Sequence, residues 1–240
     1  MLSPPGPLVI SHAACAGHAP ENTLAGIRAA LTIGADAVEV DVQASADGVP
    51  VLMHDLTLNR TTNGSGPLAD RTLQQLRALD AGGDPIPSFD EALALTRGRA
   101  LLIAEIKAPR AEQAVARVAR HQGALQDVMV WSFSPSILEA VRSAEARLPT
   151  ALLIAPQSAS RAPPVRDLAL RLGLRGISIF HEDIDGRTVS EARRSNLSIY
   201  AWTADSQVAI QRLIDLGIDG IVTNYPERAL ALLGRPAGSA

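Results

Sequence analysis

Between Asp36 and Asp55 the chain reads DAVEVDVQASADGVPVLMHD, a run that holds two closely spaced carboxylates followed by an imidazole and a further carboxylate. Ala37 to Val42 alternates apolar and acidic side chains, so an extended backbone puts Glu39 and Asp41 on one face, roughly 7 Å apart. A turn at Ala46-Asp47-Gly48 follows, and the apolar run Val49 to Met53 delivers His54 and Asp55 at its end. Carboxylates and a histidine at strand ends suit metal-assisted hydrolysis. A half-exposed strand without chemistry shows the same alternation, and this segment alone does not choose between the two.

The rest of the chain adds to the set. Ala100 to Lys107 is apolar until it presents Glu105 and Lys107 on one face. Lys107 is the only lysine among 22 Lys and Arg residues, which marks a position where a compact ammonium is wanted. Of the five histidines, His12, His18, His54 and His181 fall at strand ends or in the loops after them, whereas His121 falls on a helix and is expected to face solvent. Glu39, Asp41 and Glu105 together form an oxygen donor set suited to Mg²⁺ or Ca²⁺. Three such charges repel, and a divalent cation with Lys107 brings the balance near zero, so that an anionic substrate is accepted. Two histidines then serve as general acid and base.

These residues need a frame that gathers strand ends. Leu8 to Ser11 reads as a first strand ending at His12, and Pro20-Glu21-Asn22-Thr23 as the opening of a helix that Gly34 stops. The acidic stretch is the second strand with an extension. A turn-rich loop at Arg60 to Gly66 and short helices near Thr72 to Leu79 and Ser88 to Thr96 follow. Further strands are expected at Ala100 to Lys107, Asp127 to Ser132, Thr150 to Ala155, Gly176 to Phe180, Leu197 to Thr203 and Asp219 to Asn224. Helices are expected at Ala111 to Gln122, Pro135 to Ala146, Pro164 to Leu172, Arg187 to Arg194, Ser206 to Leu216 and Pro226 to Leu233. Eight strand-helix units predict an α/β fold, a (β/α)8 TIM barrel forming a single domain over residues 1–240. The doubly wound sheet is the rival, but no GxGxxG follows the first strand. In a parallel barrel the site lies where strands end, at His12, Glu39, Asp41, His54, Glu105, Lys107, Phe133, His181 and Trp202.

Bulk properties are those of a globular enzyme or binding protein. The 240 residues are 47% hydrophobic and 20% charged, with net charge −3 and 3% aromatic content, so no basic, aromatic-rich surface for nucleic acid is expected. No apolar run is long enough for a transmembrane segment, and no export signal is visible, so a cytoplasmic location is expected. Cys15, the only cysteine, excludes an internal disulfide and fits a reducing compartment. Oligomeric state is not legible.

The run HAACAGHAPENT resembles the HRGxxGxxPENT opening of the glycerophosphodiester phosphodiesterase family, and GADAVEVDVQASADGVPVLMHDLTLNRTTNG is similar to that family's most characteristic block. The likeness extends through IAEIK, VWSF, YAWT and GIDGIVTNYP, and so covers almost the whole chain. The resemblance implies a TIM barrel that uses a divalent cation, Mg²⁺ or Ca²⁺, to hydrolyse glycerophosphodiesters to sn-glycerol 3-phosphate and an alcohol. By position it implies His12 and His54 as the catalytic pair and Glu39, Asp41 and Glu105 as metal ligands. It likewise implies Lys107 as a phosphate contact, with Phe133 and Trp202 lining the substrate pocket. In the implied mechanism a glycerol hydroxyl attacks phosphorus, one histidine removes its proton, the other protonates the leaving alkoxide, and water opens the cyclic phosphate.

Two departures stand out. Where the family has arginine after its first histidine this chain has Ala13, followed by Ala14 in place of glycine. Losing a charge-assisted phosphate contact costs about 1.5 to 3 kcal/mol. Arg60 or Arg110 is a candidate substitute. The second departure is a short segment from Asp80 to Pro87, expected to leave the site more open. Two other functions stay in play: a phosphoryl-transferring lysophospholipid phosphodiesterase of the same barrel that releases a cyclic phosphate, and a low-activity or non-catalytic binding homologue. Cys15 reads as a small filler, His18 and His181 as rim residues, and Asn22 as serving either the helix start or the phosphate loop.

Overall fold

Runs of β-branched and aliphatic residues punctuated by amphipathic helices give strands that must bury both faces, and a closed parallel sheet wrapped in helices does so. The computed structural model describes residues 6–156, 165–235 and 238. Its strands are β1 (Leu8–Ser11), β2 (Ala37–Ala44), β3 (Pro50–Leu52), β4 (Leu101–Ile106), β5 (Val128–Ser132), β6 (Thr150–Ile154), β7 (Gly176–Phe180), β8 (Ser198–Trp202) and β9 (Gly220–Thr223). The helices are α1 (Leu24–Ile33), α2 (Leu73–Arg77), α3 (Phe89–Thr96), α4 (Glu112–His121), α5 (Pro135–Ala144), α6 (Val165–Leu172), α7 (Gly186–Arg194), α8 (Gln207–Leu216) and α9 (Pro226–Leu232).

The order β1-β9-β8-β7-β6-β5-β4-β2 is parallel throughout, and β1 also pairs with β2, so the sheet closes on itself. This is the expected (β/α)8 barrel. The additional strand, β3, folds back antiparallel on the end of β2, pairing Val42 with Leu52 and Ala44 with Pro50. That hairpin explains why β2 runs on past the expected Val42 to Ala44.

Alternate residues face the barrel interior, where Ile10, Ile103, Trp131, Leu153, Tyr200 and Val222 pack in one cluster. The Tyr200 ring fills the N-terminal end between Gly176 and Gly220, where an added Cβ would approach the ring to 2.9 Å and 2.7 Å. A second, larger cluster joins the outward strand faces to the helices. Residues between β3 and α3 carry a third small cluster around Leu58, Leu68, Leu76 and Ile86.

One helix boundary that matters departs from expectation. Helix α1 begins at Leu24 and is capped by Thr23, whose side chain accepts from the Gly26 N–H. Pro20 to Asn22 therefore stays outside the helix, because Asn22 adopts a left-handed backbone with φ of 57°. The expected start of the sixth helix at Pro164 lies outside the described residues. Among the described residues no helix is long and apolar enough to cross a membrane.

Candidate active site

Strand periodicity and register bring the acidic residues together. Glu39 and Asp41 lie two apart on β2, and Asp41 pairs in register with Glu105 on β4. One carboxylate oxygen from each of Glu39, Asp41 and Glu105 can be chosen so that all lie within 4.8 Å of one another. Glu39 and Asp41 are buried, with 3% exposure each. The Glu105 side chain is 12% exposed.

Their partners are unequal. Glu39 Oε2 accepts from the Ala13 N–H at 2.8 Å, while its buried Oε1 has no hydrogen-bond partner among the described residues. An unpartnered carboxylate oxygen within an acidic cluster is what a cation ligand would be. Asp41 is clamped by Asn22: the Asn22 Nδ2 donates to Asp41 Oδ2 at 2.7 Å, and the Asp41 N–H donates to Asn22 Oδ1 at 2.8 Å. The structure assigns the Asn22 side chain to a third use and not to the helix start. Its left-handed backbone and both amide atoms serve Asp41, and Thr23 caps the helix.

Lys107 follows β4 and donates to Glu105 Oε1 at 2.7 Å, with Asp41 Oδ1 at 3.2 Å. Burial pushes the Glu39 carboxyl well above the usual range, and Asp41 and Glu105 push it further, against the Ala13 N–H and Lys107. Glu105 is raised as well, chiefly by burial, with Lys107 opposing. Burial works to lower the Lys107 pKa, but Asp41 and Glu105 outweigh it and the ammonium is stabilised. Three carboxylates against one ammonium leave two negative charges, the balance of a divalent cation. The donor set is all oxygen, as hard cations require, so these residues fit such an ion.

The two imidazoles flank this cluster. His12 follows β1, whose Ser11 pairs with Val38, so it stands level with Glu39. His12 Nδ1 lies 2.8 Å from Asn224 Oδ1. His54 follows β3, where the Met53 N–H donates to the Asp41 carbonyl. Gln43, two residues beyond Asp41 on the same face, donates to the carbonyls of His54 and Asp55. His54 Nδ1 meets Asp55 Oδ1 at 2.7 Å. Arg60 donates to both oxygens of Asp55 and both of Glu21. Arg60 first, and then His54, hold the Asp55 carboxyl down at about 2. Arg60 is thus committed to two carboxylates and does not fill the place that Ala13 leaves. The Arg110 N–H donates to Glu112 and its backbone is left-handed, with φ of 94°.

Opposite the acids stands an aromatic wall. Phe133, 42% exposed, meets Trp202 edge-on with ring centroids 5.6 Å apart. Phe180 pairs with Trp202 across β7 and β8, and their rings also stand 5.6 Å apart. Sequence reasoning named Phe133 and Trp202 but passed over Phe180, whose position at a strand end was the available signal. His181 packs on Phe180 at 5.0 Å and is held below its ordinary pKa chiefly by burial. His18 bonds Glu227 at 2.9 Å, and His121 is exposed at the end of α4. Cys15 is fully buried, which pushes its thiol pKa up.

A closed parallel barrel with a cation-sized acidic cluster at the C-terminal ends of its strands defines an enzyme of the TIM-barrel class. Residues 12–228 match the model of the glycerophosphoryl diester phosphodiesterase family. A glycerophosphodiester phosphodiesterase of Caldanaerobacter subterraneus subsp. tengcongensis is 31% identical, over 94% of this chain and 97% of that protein. Two solved structures are similar. A glycerophosphodiester phosphodiesterase of Agrobacterium tumefaciens has a TM-score of 0.82 and 29% identity, covering 92% of this chain and 98% of that one. An Oleispira antarctica phosphodiesterase in complex with the product sn-glycerol-3-phosphate has a TM-score of 0.85 and 25% identity, covering 95% of this chain and 97% of that one. The chain belongs to the glycerophosphoryl diester phosphodiesterase family, and it is a phosphoric diester hydrolase.

Proposed function

We propose that this protein hydrolyses glycerophosphodiesters to sn-glycerol 3-phosphate and an alcohol, with a divalent cation held by Glu39, Asp41 and Glu105 and with His12 and His54 moving the protons. The observation that carries this reading is the cluster of carboxylate oxygens within 4.8 Å, with Glu39 Oε1 buried and unpartnered. A Mg²⁺ or Ca²⁺ held by Glu39, Asp41 and Glu105 would supply Lewis acidity and screen phosphate charge.

The chain's own residues do the rest. One imidazole takes the proton of a glycerol hydroxyl as its oxygen bonds to phosphorus. The other gives a proton to the alcohol oxygen as its bond to phosphorus breaks and the electron pair leaves with it. Water then opens the cyclic phosphate with the proton transfers reversed. Lys107, beside Glu105 and Asp41, is a cation within reach of a phosphate bound at the cluster. Phe133, Trp202 and Phe180 give the apolar wall against which glycerol or the leaving group packs.

Chelation tests the reading. Exhaustive removal of divalent ions should abolish release of alcohol from glycerophosphocholine, and Mg²⁺ or Ca²⁺ should restore it; full activity without metal would overturn it. Ala13 favours one alternative, phosphoryl transfer without hydrolysis, since no arginine follows His12 to hold phosphate for the second step. Phosphorus NMR separates the two, because a cyclic phosphate that persists as end product would replace hydrolysis by transfer.

A further inference from the structure

Asn224 and Asp205 lie outside the acidic cluster and the aromatic wall, yet their hydrogen bonds end on His12. Asp205 Oδ2 accepts from Asn224 Nδ2 at 2.8 Å, and Asp205 Oδ1 accepts from the Asn224 N–H at 2.8 Å and from Thr223 Oγ1 at 3.0 Å. Arg228 donates to the Asp205 carbonyl at 2.7 Å, which ties the residue to α9. An ionised carboxylate only accepts, so the amide group that faces Asp205 must be the NH₂. The opposite atom, Asn224 Oδ1, therefore faces His12, and it too only accepts. His12 Nδ1, 2.8 Å away, must carry a proton. In the neutral ring this leaves Nε2 as the bare nitrogen.

We propose that Asn224, oriented by Asp205, is a positioning residue that fixes His12 in the tautomer with Nε2 free, and that Asp205 acts through Asn224. This rests on the reading of His12 as one of the two proton-transfer groups. The relay has a logic that His54 does not share. His54 Nδ1 meets a carboxylate directly, which accepts whatever else happens around it. An amide can turn over, and turned over it would present NH₂ to His12 and favour the wrong tautomer. Asp205 removes that choice.

Four variants and one spectroscopic measurement test the proposal. Asp205→Asn lets the Asn224 amide reverse, and kcat should fall about 10²- to 10⁴-fold with little change in KM, the usual worth of a positioned acid-base group. Asn224→Asp alone sets two carboxylates face to face and should lose activity too. The double exchange Asp205→Asn with Asn224→Asp restores every bond with the roles swapped. The amide now at position 205 donates to the carboxylate at position 224 and accepts from the N–H of that residue and from Thr223, while the new carboxylate accepts from His12. This variant should recover kcat to within about tenfold of the parent. Nitrogen-15 shifts of the histidine rings read the tautomer without reference to activity: wild type should show His12 Nε2 as the unprotonated nitrogen at neutral pH, and Asp205→Asn should lose that signature. A protonated Nε2 in the neutral ring of wild type, unchanged kcat in Asp205→Asn, or a folded double exchange that stays inactive would each overturn the proposal. His12→Ala separates the two levels. If it retains activity, the role given to His12 fails even where the tautomer is as proposed.

Discussion

The Lys107 ammonium lies 2.7 Å from Glu105 Oε1, so the only lysine of the chain is committed to a carboxylate of the acidic cluster, with Asp41 Oδ1 next nearest at 3.2 Å. Removing it leaves the carboxylate charge of the cluster uncompensated, at the place proposed for the phosphate. Lys107→Ala is expected to lower kcat/KM about ten- to a hundredfold, the worth of one charge-assisted contact. Lys107→Arg should recover little, because a planar fork does not replace a compact ammonium between two carboxylates. Steady-state kinetics on glycerophosphocholine gives both numbers.

The acidic cluster ties stability to pH through Glu39 and Glu105. Both carboxyls are raised above their ordinary values, burial leading in each. A folded-state pKa above the unfolded one means that the folded protein binds the proton more tightly. The stability these two groups contribute to the metal-free protein should therefore be fully present below the unfolded value of about 4.3 and be lost as pH rises through the folded-state pKa. Added Mg²⁺ or Ca²⁺ should flatten that slope and release protons on binding. Denaturant curves at several pH values, with and without chelator, measure the slope. Calorimetry in buffers of different ionisation enthalpy counts the protons. A contribution of these groups to metal-free stability that grows as pH rises above the unfolded value of about 4.3 would contradict the sign.

Arginine at position 13 is the next test. Arg60 is bound to Asp55 and Glu21 and so brings no free cation to a phosphate beside His12, while Lys107 is the cation proposed for the acidic cluster itself. The Ala13 contribution that matters now, its N–H to Glu39, belongs to the backbone and survives substitution. Ala13→Arg should raise kcat/KM about ten- to a hundredfold if the added group reaches phosphate. No gain, in a variant that folds and still binds metal, would show that phosphate is held elsewhere.

Ala14 carries a strain that can be removed. Its φ is 71°, and a non-glycine residue there costs about 1 kcal/mol. Its Cβ is also the atom that a Cβ at Gly26 would meet, at 2.9 Å. Ala14→Gly should stabilise the protein by up to about 1 kcal/mol, and Gly26→Ala should destabilise it by about 1 to 3 kcal/mol. Combined, they should cost less than Gly26→Ala alone. Thermal or denaturant unfolding of the three variants closes the cycle.

How much of this is legible in the sequence depends on how local each interaction is. Glu39 and Asp41 can be read because a period of two puts them on one face of a strand whatever the strand pairs with. Glu105 joins them once the strands are counted, since register in a parallel barrel brings equivalent positions level. Asn22 reads as part of a helix opening, and only the left-handed turn that carries its amide to Asp41 shows its use. Gln43 continues the face of Glu39 and Asp41, but its bonds to the His54 and Asp55 carbonyls depend on the antiparallel return of the chain, which the alternation over Ala37 to Val42 does not show. Asn224 and Asp205 are beyond reach. Asn224 is separated by 212 residues from the imidazole it meets, and nothing in TNYP or TADS announces a partner so far away.

The seam between β1 and β9 joins the two ends of the barrel and, with them, His12 to its partner. Glu39, Asp41, Glu105 and His54 all stand on neighbouring stretches in the first half of the chain, whereas His12 gains its partner only when the last strand docks beside the first. Beyond α9, Arg235 grips Asp36 through two bonds and Asp36 in turn accepts from Val9, so this late segment is stitched to the first two strands. Ring closure and the setting of the His12 imidazole are therefore one event, because the strand that shuts the barrel carries the chain on to the residue that holds that ring.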